Sequence, residues 1–218
     1  MFLFSRRALL ALAAVTALGM PVLPVRAQPA SNPAAFVNDV VQQALTLLRN
    51  KQLGDADRKA QLATLLRANF DTPRIARFVL GRYWNGASEP DRARFTDLFG
   101  QWVVRTYSER FKEYSGESVK VTGSRAESDT SAVVASQLIH VNGTPPAQVN
   151  WHVRKEDSGY KIVDVEVEGV SLALTERDEF SAVIQRSNGS VATLNDQLQQ
   201  KLASGETPAN GSLAPGPK

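Results

Sequence analysis

Residues 160–172 read YKIVDVEVEGVSL, and within them a strand pattern gives way to a helix pattern. Apolar and acidic residues alternate along this stretch. One face would carry Val163, Val165 and Val167, and the other Asp164, Glu166 and Glu168. Because side chains of a β-strand point alternately to opposite faces, this spacing predicts a strand with one apolar face. Gly169 is expected to end the strand, since glycine permits the turn that must follow.

The next residues, GVSLA, resemble the G-x-S-x-G/A elbow that presents a nucleophilic serine in hydrolases. Such a serine needs a histidine that follows it in the chain, and both His140 and His152 precede Ser171. The elbow also needs a parallel sheet, whereas the strands here are joined as hairpins. In the simpler interpretation, Ser171 bonds local backbone groups at a strand exit. The side chains expected to pack inward there are Val170 and Leu172.

The N-terminus has the pattern of an export signal, predicted to be residues 1–27. Arg6 and Arg7 precede an apolar run, and Val25 and Ala27 stand where signal peptidase reads small residues. The run is shorter than the roughly 20 apolar residues that span a bilayer, which favours a cleaved signal over a permanent helix. The arginine pair also fits a twin-arginine signal, so export by Sec or by Tat stays open.

Composition narrows the function classes. The signal contains three of the 25 basic residues and none of the 22 acidic ones, which leaves 22 of each sign in the mature chain. This balance gives little support for a nucleic-acid partner. The sequence has no cysteine, which excludes disulfides, cysteine-based zinc sites and thiol catalysis. Residues 204–218 are rich in glycine and proline and are predicted to be a disordered tail, so one domain remains at 28–203.

The spacing of apolar residues predicts two amphipathic helices, a short helix before Gly81 and a long helix after Ser88. Thr72 can cap the short helix, and Ser88 with Asp91 resembles the capping box of the long one. The long helix carries a broad apolar stripe of Phe95, Leu98, Phe99, Trp102, Val103, Tyr107, Phe111 and Tyr114. This stripe is either ordinary core or the wall of a cavity built from large rings.

From residue 117 the apolar spacing changes to two, which predicts four strands joined by short turns in an antiparallel meander. Two further helices follow the sheet, so the predicted fold class is α+β. A curved sheet of this kind can enclose an apolar cavity with the long helix. The sheet face expected opposite the aromatic stripe consists of Val149, Trp151, Val153, Val163, Val165 and Val167.

The polar residues of the strands are interpreted as ordinary surface. His140 and His152 lack a third ligand at a spacing that suits a metal. The carboxylates of Asp164, Glu166 and Glu168 are two apart, which is more typical of a solvated face paired with basic residues of the next strand than of a cation site. The sequence also contains no glycine-rich phosphate loop. No metal site and no catalytic set are therefore predicted.

Several segments, taken together and in order, resemble the periplasmic lipid-carrier family of the Mla pathway, also labelled toluene-tolerance or ABC-transporter auxiliary proteins. They are FDTPRIARFVLGRYW (70–84), RTY (105–107), DV with EGVSL (164–172) and residues 180–202, and they cover nearly the whole mature chain. Arg154, YKI (160–162) and FSAVIQR (180–186) are most similar to the branch associated with hopanoid biosynthesis. The resemblance thus leaves the identity of the lipid open.

The resemblance implies a cone similar to nuclear transport factor 2, in which helices and an antiparallel sheet surround an apolar cavity. The cavity would hold the acyl chains of a phospholipid or a hopanoid-type lipid as cargo, with no cofactor and no catalysis, in the periplasm. The implied partners are an inner-membrane ABC transporter with its lipid-binding ring subunit and an outer-membrane lipoprotein complex.

A second function class stays open, because cones of this type also host small-molecule isomerases and dehydratases. Asp164 or Tyr107 would then supply the acid or base. An enzyme needs polar groups with perturbed pKa values in its pocket, whereas a lipid carrier needs an almost wholly apolar wall. Two or more ionisable side chains converging in the cavity would favour the enzyme.

The candidate lipid-binding side chains come from the helices, the inner sheet face and the strand exit. They are Phe78, Phe99, Trp102, Val103, Tyr107, Val134, Val149, Trp151, Val165, Val167, Val170, Leu172, Phe180 and Ile184. The cavity mouth is expected between residues 169–172 and the helix that carries Phe180 and Ile184, because that junction can move without breaking the sheet. Tryptophan at Val170 or Ile184 should then lower the amount of bound lipid.

Overall fold

The computed structural model describes residues 32–204. The predicted export signal at 1–27 lies outside the described residues, and so does the predicted tail beyond Ser204. Between these limits the chain forms helices α1 to α7 and strands β1 to β5. Within residues 32–204, none of the helices has the length and apolar character needed to cross a membrane.

Five helices precede the sheet: α1 (Pro33–Arg49), α2 (Asp55–Asn69), α3 (Thr72–Leu80), α4 (Tyr83–Gly86) and α5 (Glu89–Phe111). Ser88 caps α5 as predicted, because its Oγ accepts a hydrogen bond of 3.2 Å from the backbone N–H of Asp91. The cap of α3 was assigned one residue too late. Oδ1 of Asp71, and not the hydroxyl of Thr72, accepts the 3.0 Å hydrogen bond from the N–H of Arg74. A carboxylate at this position is also stabilised by the positive end of the helix dipole.

The sheet is an antiparallel meander in the order β1-β2-β3-β4-β5, which confirms the predicted α+β class. Its strands are β1 (Ser118–Ala126), β2 (Ser131–Ile139), β3 (Ala147–Glu156), β4 (Gly159–Val167) and β5 (Val170–Ser171), and α6 (Leu172–Arg186) and α7 (Val191–Ser204) follow. The two-residue β5 adds to the four predicted strands. It pairs with β4 after a turn at Gly169, where φ is +81°. Ser171 then caps α6 by accepting from the N–H of Leu174 at 3.0 Å.

An irregularity in β4 changes the face that the sequence predicts. His152 pairs with Asp164, but the next residue, Val153, pairs with Ile162, so Val163 has no partner across the two strands. An extra residue of this kind is a β-bulge and shifts the alternation by one position. Ile162, which is fully buried, therefore takes the inward place that was predicted for Val163. The expectation that Val163 shares a face with Val165 is wrong.

The inner face of the sheet is covered by α1. Side chains from one face of α1 and from β2, β3 and β4 form the sheet core, whose buried members are Val37, Val40, Val41, Leu45, Ala132, Val134, Val153 and Ile162. Apolar residues spaced three and four apart place this stripe of α1 against the strands. The first helix therefore occupies the position that was predicted for the long helix.

The long helix α5 packs its large rings against other helices. The centre of the Phe95 ring lies 5.8 Å from that of Phe99 and 5.7 Å from that of Phe180 on α6. The contact with Phe180 is edge to face. These rings belong to the helical core, a buried cluster of Ala76, Val79, Leu80, Phe95, Leu98, Phe99, Trp102, Phe180, Ile184, Val191, Leu194 and Leu198. The prediction that this part of the aromatic stripe lies opposite the sheet face is therefore wrong. Other helices cover the rings, and α1 covers the sheet face.

Candidate functional site

A cavity of about 980 Å³ lies between α2, α3 and α5, with β4 and α6 on its far side. Its volume is at the upper end of the roughly 300–1,000 Å³ that is usual for ligand pockets. Apolar and small side chains dominate the wall, among them Ala63, Leu66, Phe70, Ile75, Phe99, Val103, Val104, Val165, Leu172 and Leu202. Such a wall suits an apolar ligand, because burying hydrocarbon is favourable in proportion to the area removed from water.

Small residues on the facing helices create this space. Ala56, Ala60 and Ala63 recur at intervals of four and three along α2, and Gly100 lies on α5, all in the lining. A Cβ added to Gly100 would meet nothing closer than Cγ2 of Thr72, at 3.6 Å. Protein interiors are close-packed, so facing helices leave a gap where their side chains are too short to meet. The alanine spacing of α2 was a usable signal for the cavity wall, and the sequence reasoning missed it.

Most of the exposed residues of the lining lie on α2 and α5, and one lies at the start of α3. We call this set the rim: Ala56, Lys59, Ala60, Arg67, Pro73, Ala93, Asp97 and Gln101. Two of its members are cations and one is a carboxylate. The cavity therefore opens to solvent through a mixed but partly basic boundary.

A less exposed part of the lining carries ionisable side chains. We call Tyr107, Asp164 and Glu176, with Ala173 beside them in the chain, the floor. Asp164 is held by three donors: the backbone N–H of Val165 at 2.8 Å, that of Ala173 at 3.0 Å, and the hydroxyl of Ser171 at 2.5 Å. The carboxylate thus ties the end of β4 to the first turn of α6.

Glu176 is the most unusual member of the floor, because a carboxyl group is rarely buried so completely. Only 4% of the residue is exposed to solvent. Burial, and to a lesser degree the nearby charge of Glu179, raise its pKa to about 8, while the nearby indole of Trp102 and the charge of Arg110 oppose the shift. Near neutral pH most molecules therefore carry a protonated carboxyl at this point.

Tyr107 stands beside these carboxyl groups. Burial of its hydroxyl raises its pKa well above the usual range, and the charges of Glu176 and Asp164 act in the same direction, against the opposing charge of Arg110. The phenol is therefore neutral at any physiological pH. Three ionisable side chains, Tyr107, Asp164 and Glu176, converge at the floor, which is the feature set out above as favouring an enzyme.

The structure brings together five of the fourteen candidate side chains in the cavity wall: Phe99, Val103, Tyr107, Val165 and Leu172. Trp102, Phe180 and Ile184 lie in the helical core. Val134 belongs to the sheet core, Trp151 packs against it, and Val149 pairs with Val167 across β3 and β4. For all fourteen, contact with lipid stays a prediction.

The two remaining candidates, Phe78 and Val170, are exposed. Phe78 is 43% exposed, and the guanidinium of Arg177 lies 5.2 Å from the centre of its ring. Phe78 and Arg177 line a separate surface groove of about 610 Å³ beside α3, and Val163 also lines it. Val170 is 42% exposed, so the expectation that it packs inward is wrong. A two-residue strand at the sheet edge leaves that side chain without a covering layer.

The exposed rim also lies away from the expected mouth. Phe180 and Ile184 are buried in the helical core, and neither lines the cavity. Of the residues 169–172, Leu172 is the one that reaches the wall. In this structure the solvent-facing boundary is therefore between α2 and α5.

The acidic residues at the end of β4 and just after it have different partners, and Glu166 is the one that lies near a basic residue of the next strand. Glu166 accepts from Nδ2 of Asn150 at 3.2 Å, and its other oxygen lies 3.6 Å from Nε2 of His152. Glu168 accepts from the backbone N–H of Gln148. Each carboxylate has its own local partner, and within residues 32–204 no three acids, histidines or cysteines are grouped as a metal site would need.

A single α+β domain with a large, mostly apolar cavity has the features of a protein that holds a small apolar ligand. Comparison with known families then identifies its relatives. The chain belongs to the MlaC protein family, whose family model matches residues 38–200. The resemblance drawn from the sequence is thereby confirmed at the level of the family.

Two similar proteins are known in more detail. The intermembrane phospholipid transport system binding protein MlaC of Haemophilus influenzae is 22% identical over 128 residues, which are 57% of this chain and 59% of the relative. The match thus spans less than two thirds of that protein. A phospholipid-binding protein from Ralstonia solanacearum, solved in complex with a phospholipid, superposes with a TM-score of 0.69 at 24% identity, covering 80% of this chain and 98% of that one. This likeness establishes the shared fold.

Proposed function

We propose that the protein is a periplasmic lipid carrier that holds the acyl chains of a phospholipid or hopanoid-type lipid in the cavity between α2, α3 and α5. The observation that carries the proposal is the cavity itself, with about 980 Å³ of space and a mainly apolar wall. Membership of the MlaC family and the phospholipid bound to the Ralstonia protein support it. The cations Lys59 and Arg67 at the rim suit an anionic head group that stays near water.

The energy of burial suggests how such a carrier works. Two chains of about sixteen carbons contain roughly 30 methylenes, and at about 0.8 kcal/mol each their removal from water is worth more than 20 kcal/mol. Because non-covalent affinity hardly exceeds this range, the lipid would rarely leave the protein for water. Transfer would instead require direct contact with a partner that offers another apolar site.

The partners in this proposal are an outer-membrane lipoprotein complex and an inner-membrane ABC transporter with its lipid-binding ring subunit. The name of the Haemophilus relative, a binding protein of an intermembrane transport system, supports partners in both membranes. Since the lipid moves from one apolar environment to another, the free-energy difference between bilayer and carrier is small. Direction would therefore be set by the partners and not by the carrier.

Native mass spectrometry tests the proposal. Purified mature protein should show an added mass that disappears after delipidation, and extraction should identify that mass as a lipid. Circular dichroism of the delipidated protein serves as the control for folding. Identical masses before and after treatment, in protein that remains folded, would contradict the proposal.

A second candidate is an isomerase or dehydratase that acts inside the cavity. The convergence of Tyr107 and Glu176 at the floor, with the pKa of Glu176 near the working pH, is the observation in its favour. Against it, Asp164 already accepts three hydrogen bonds and has a structural role. Lipid recovered after incubation with the protein distinguishes the two: a carrier returns it unchanged, whereas an enzyme alters its mass or its retention in chromatography.

A further inference from the structure

The surface groove beside α3 is strongly basic. Among the described residues that line it, three are arginines, Arg74, Arg77 and Arg177, and one is an acid, Asp164. Both oxygens of Asp164 already accept hydrogen bonds from β4, the strand exit and the start of α6. This carboxylate is therefore committed to the fold, and we call the site the basic groove.

Two of the three arginines have no acidic partner within residues 32–204. Nε of Arg74 donates to Oδ2 of Asp71 at 2.8 Å, whereas neither Arg77 nor Arg177 forms a salt bridge in that part of the chain. Arginine keeps its charge at any physiological pH. An anion in the groove would thus meet two guanidinium groups that give up no internal partner in order to bind it.

Arg177 is already positioned for such a contact. Its guanidinium lies 5.2 Å from the centre of the Phe78 ring, on α3. Its Nε also lies 2.9 Å from the point where a Cβ of residue 81 would stand, which is possible because that residue is glycine. A guanidinium held against a ring can still donate from its edge to a carboxylate, and it loses less side-chain freedom on binding.

Apolar surface lies beside these charges. Phe78 is 43% exposed, and Ile75, Trp84 and Val163 also line the groove. A partner that offered charge alone would leave the Phe78 ring in water, whereas an apolar side chain would cover it. Arginine and aromatic residues are also enriched among those that contribute most to protein–protein binding.

The shape of the groove favours a protein segment over a membrane. A concave space of about 610 Å³ accepts a projecting chain, but the plane of a bilayer cannot enter it. The groove also adjoins the cavity, because Ile75, Asp164 and Ala173 line both. A partner docked there would lie next to the cargo.

We propose that the basic groove is a docking site for an acidic segment of a partner protein. Carboxylates of this segment bind Arg77 and Arg177, and an apolar side chain between them packs on Phe78. The use of this contact in lipid transfer rests on the proposed carrier function, whereas the binding itself does not.

Nuclear magnetic resonance of isotope-labelled mature protein tests the docking, because it detects weak binding and locates it on the chain. The probe is a short capped peptide, Glu-Asp-Leu-Trp-Asp-Glu. It should shift the amide signals of Arg77, Phe78, Gly81 and Arg177. A peptide with Ser-Ser in place of Leu-Trp should bind about fivefold more weakly, since it leaves the ring uncovered. A peptide with lysine in place of every acid should not bind.

Charge reversal in the groove provides the variants. Arg77→Glu combined with Arg177→Glu should weaken binding of the probe by about tenfold or more. Arg186→Glu is the matched control, because Arg186 is exposed on α6 and lies outside the groove lining, and it should bind as wild type does. Circular dichroism confirms folding, and Arg77→Glu alone decides the matter if the double variant does not fold.

Several outcomes would overturn the docking site. They are no shifts with the probe at millimolar concentration, shifts located elsewhere, or equal binding of the lysine peptide. Inorganic phosphate that binds as tightly as the probe would reduce the groove to a site for small anions. Binding to phosphatidylglycerol vesicles that the double variant abolishes would assign it to a membrane. The lipid content of wild-type protein, measured by native mass spectrometry, decides the carrier function separately, so either proposal can fail while the other stands.

Discussion

Helix α5 borders two apolar regions that differ in one respect, the size of the side chains opposite it. Towards α7 and the buried faces of α3 and α6 it meets large rings and branched residues, and Phe95 packs edge to face against Phe180. Towards α2 it meets Ala56, Ala60 and Ala63, and a cavity remains. One helix can thus seal a core on one side and wall a binding site on the other. The volume of the facing residues determines which of the two forms.

The largest expected effect comes from two leucines on successive turns of α2. Leu62 is 2% exposed and outside the cavity wall, whereas Leu66 lines the cavity. Leu62→Ala should lower the free energy of unfolding by about 3–4 kcal/mol, because it opens a void in packed surroundings. Leu66→Ala should cost only about 1 kcal/mol, since its side chain already faces empty space.

Urea unfolding of delipidated protein measures this pair, because bound lipid would stabilise the native state and obscure the difference. The two variants are matched in helix, residue type and substitution. Equal losses would show that Leu66 is as tightly packed as Leu62, and the contrast between the two regions would then not hold on α2.

A second effect concerns pH and the floor. The pKa of Glu176 is about 8 in the folded protein against 4.5 for an ordinary carboxyl, so between these values the folded state keeps a proton that the unfolded state has lost. The free energy of unfolding should therefore fall as the pH rises from about 4.5 to 8. Glu179, Arg110 and Tyr107 face the same group and modulate the shift.

Glu176→Gln should remove this pH dependence, because an amide does not titrate. Urea titrations of wild type and variant at several pH values provide the test, and their difference isolates Glu176 from the other titrating groups. Parallel curves for the two proteins would mean that the carboxyl group is ionised in the folded state and that the floor is wetter than its burial indicates.

The smallest expected effect on the free energy of unfolding comes from replacing glycine by alanine at two positions. Gly100 lies inside α5 beside the cavity, and a new Cβ would reach only ordinary contact, 3.6 Å from Cγ2 of Thr72. Gly100→Ala should therefore raise the free energy of unfolding by about 0.5–1 kcal/mol through helix propensity. Gly81→Ala is the opposing control, because φ there is +53° and the Cβ would lie 2.9 Å from Nε of Arg177. A loss of stability in Gly100→Ala would show that the cavity wall has no room there.

Local signals in the sequence predicted the elements well. The turn at Gly169, the cap at Ser88 and the bond of Ser171 to a nearby backbone N–H depend on residues close together in the chain, and all were found as predicted. The family, too, was identified from segments read in order. Local chemistry determines such features, and the sequence displays it directly.

The relations between elements were predicted less well, since they depend on residues distant in sequence. Val163 has no partner across the strands, so Ile162 takes the inward position in its place. No local pattern in the sequence marks a bulge of this kind. The rings of α5 suggested a cavity wall, yet Phe95 closes a core because Phe180 of α6 happens to face it. The cavity arises instead from the small residues of α2, whose alanines the hydrophobic pattern did not single out.

Blocking the rim tests the central claim, that lipid occupies the space between α2 and α5. In native mass spectrometry of purified protein, Ala60→Trp should sharply reduce the lipid-bound fraction, because Ala60 stands at the exposed edge of the wall. Two controls should keep the occupancy of wild type: Gln61→Trp, at the next position of α2 and outside the lining, and Val170→Trp, at the mouth expected from the sequence. Full occupancy in folded Ala60→Trp, or a loss confined to Val170→Trp, would place the lipid elsewhere and contradict the account.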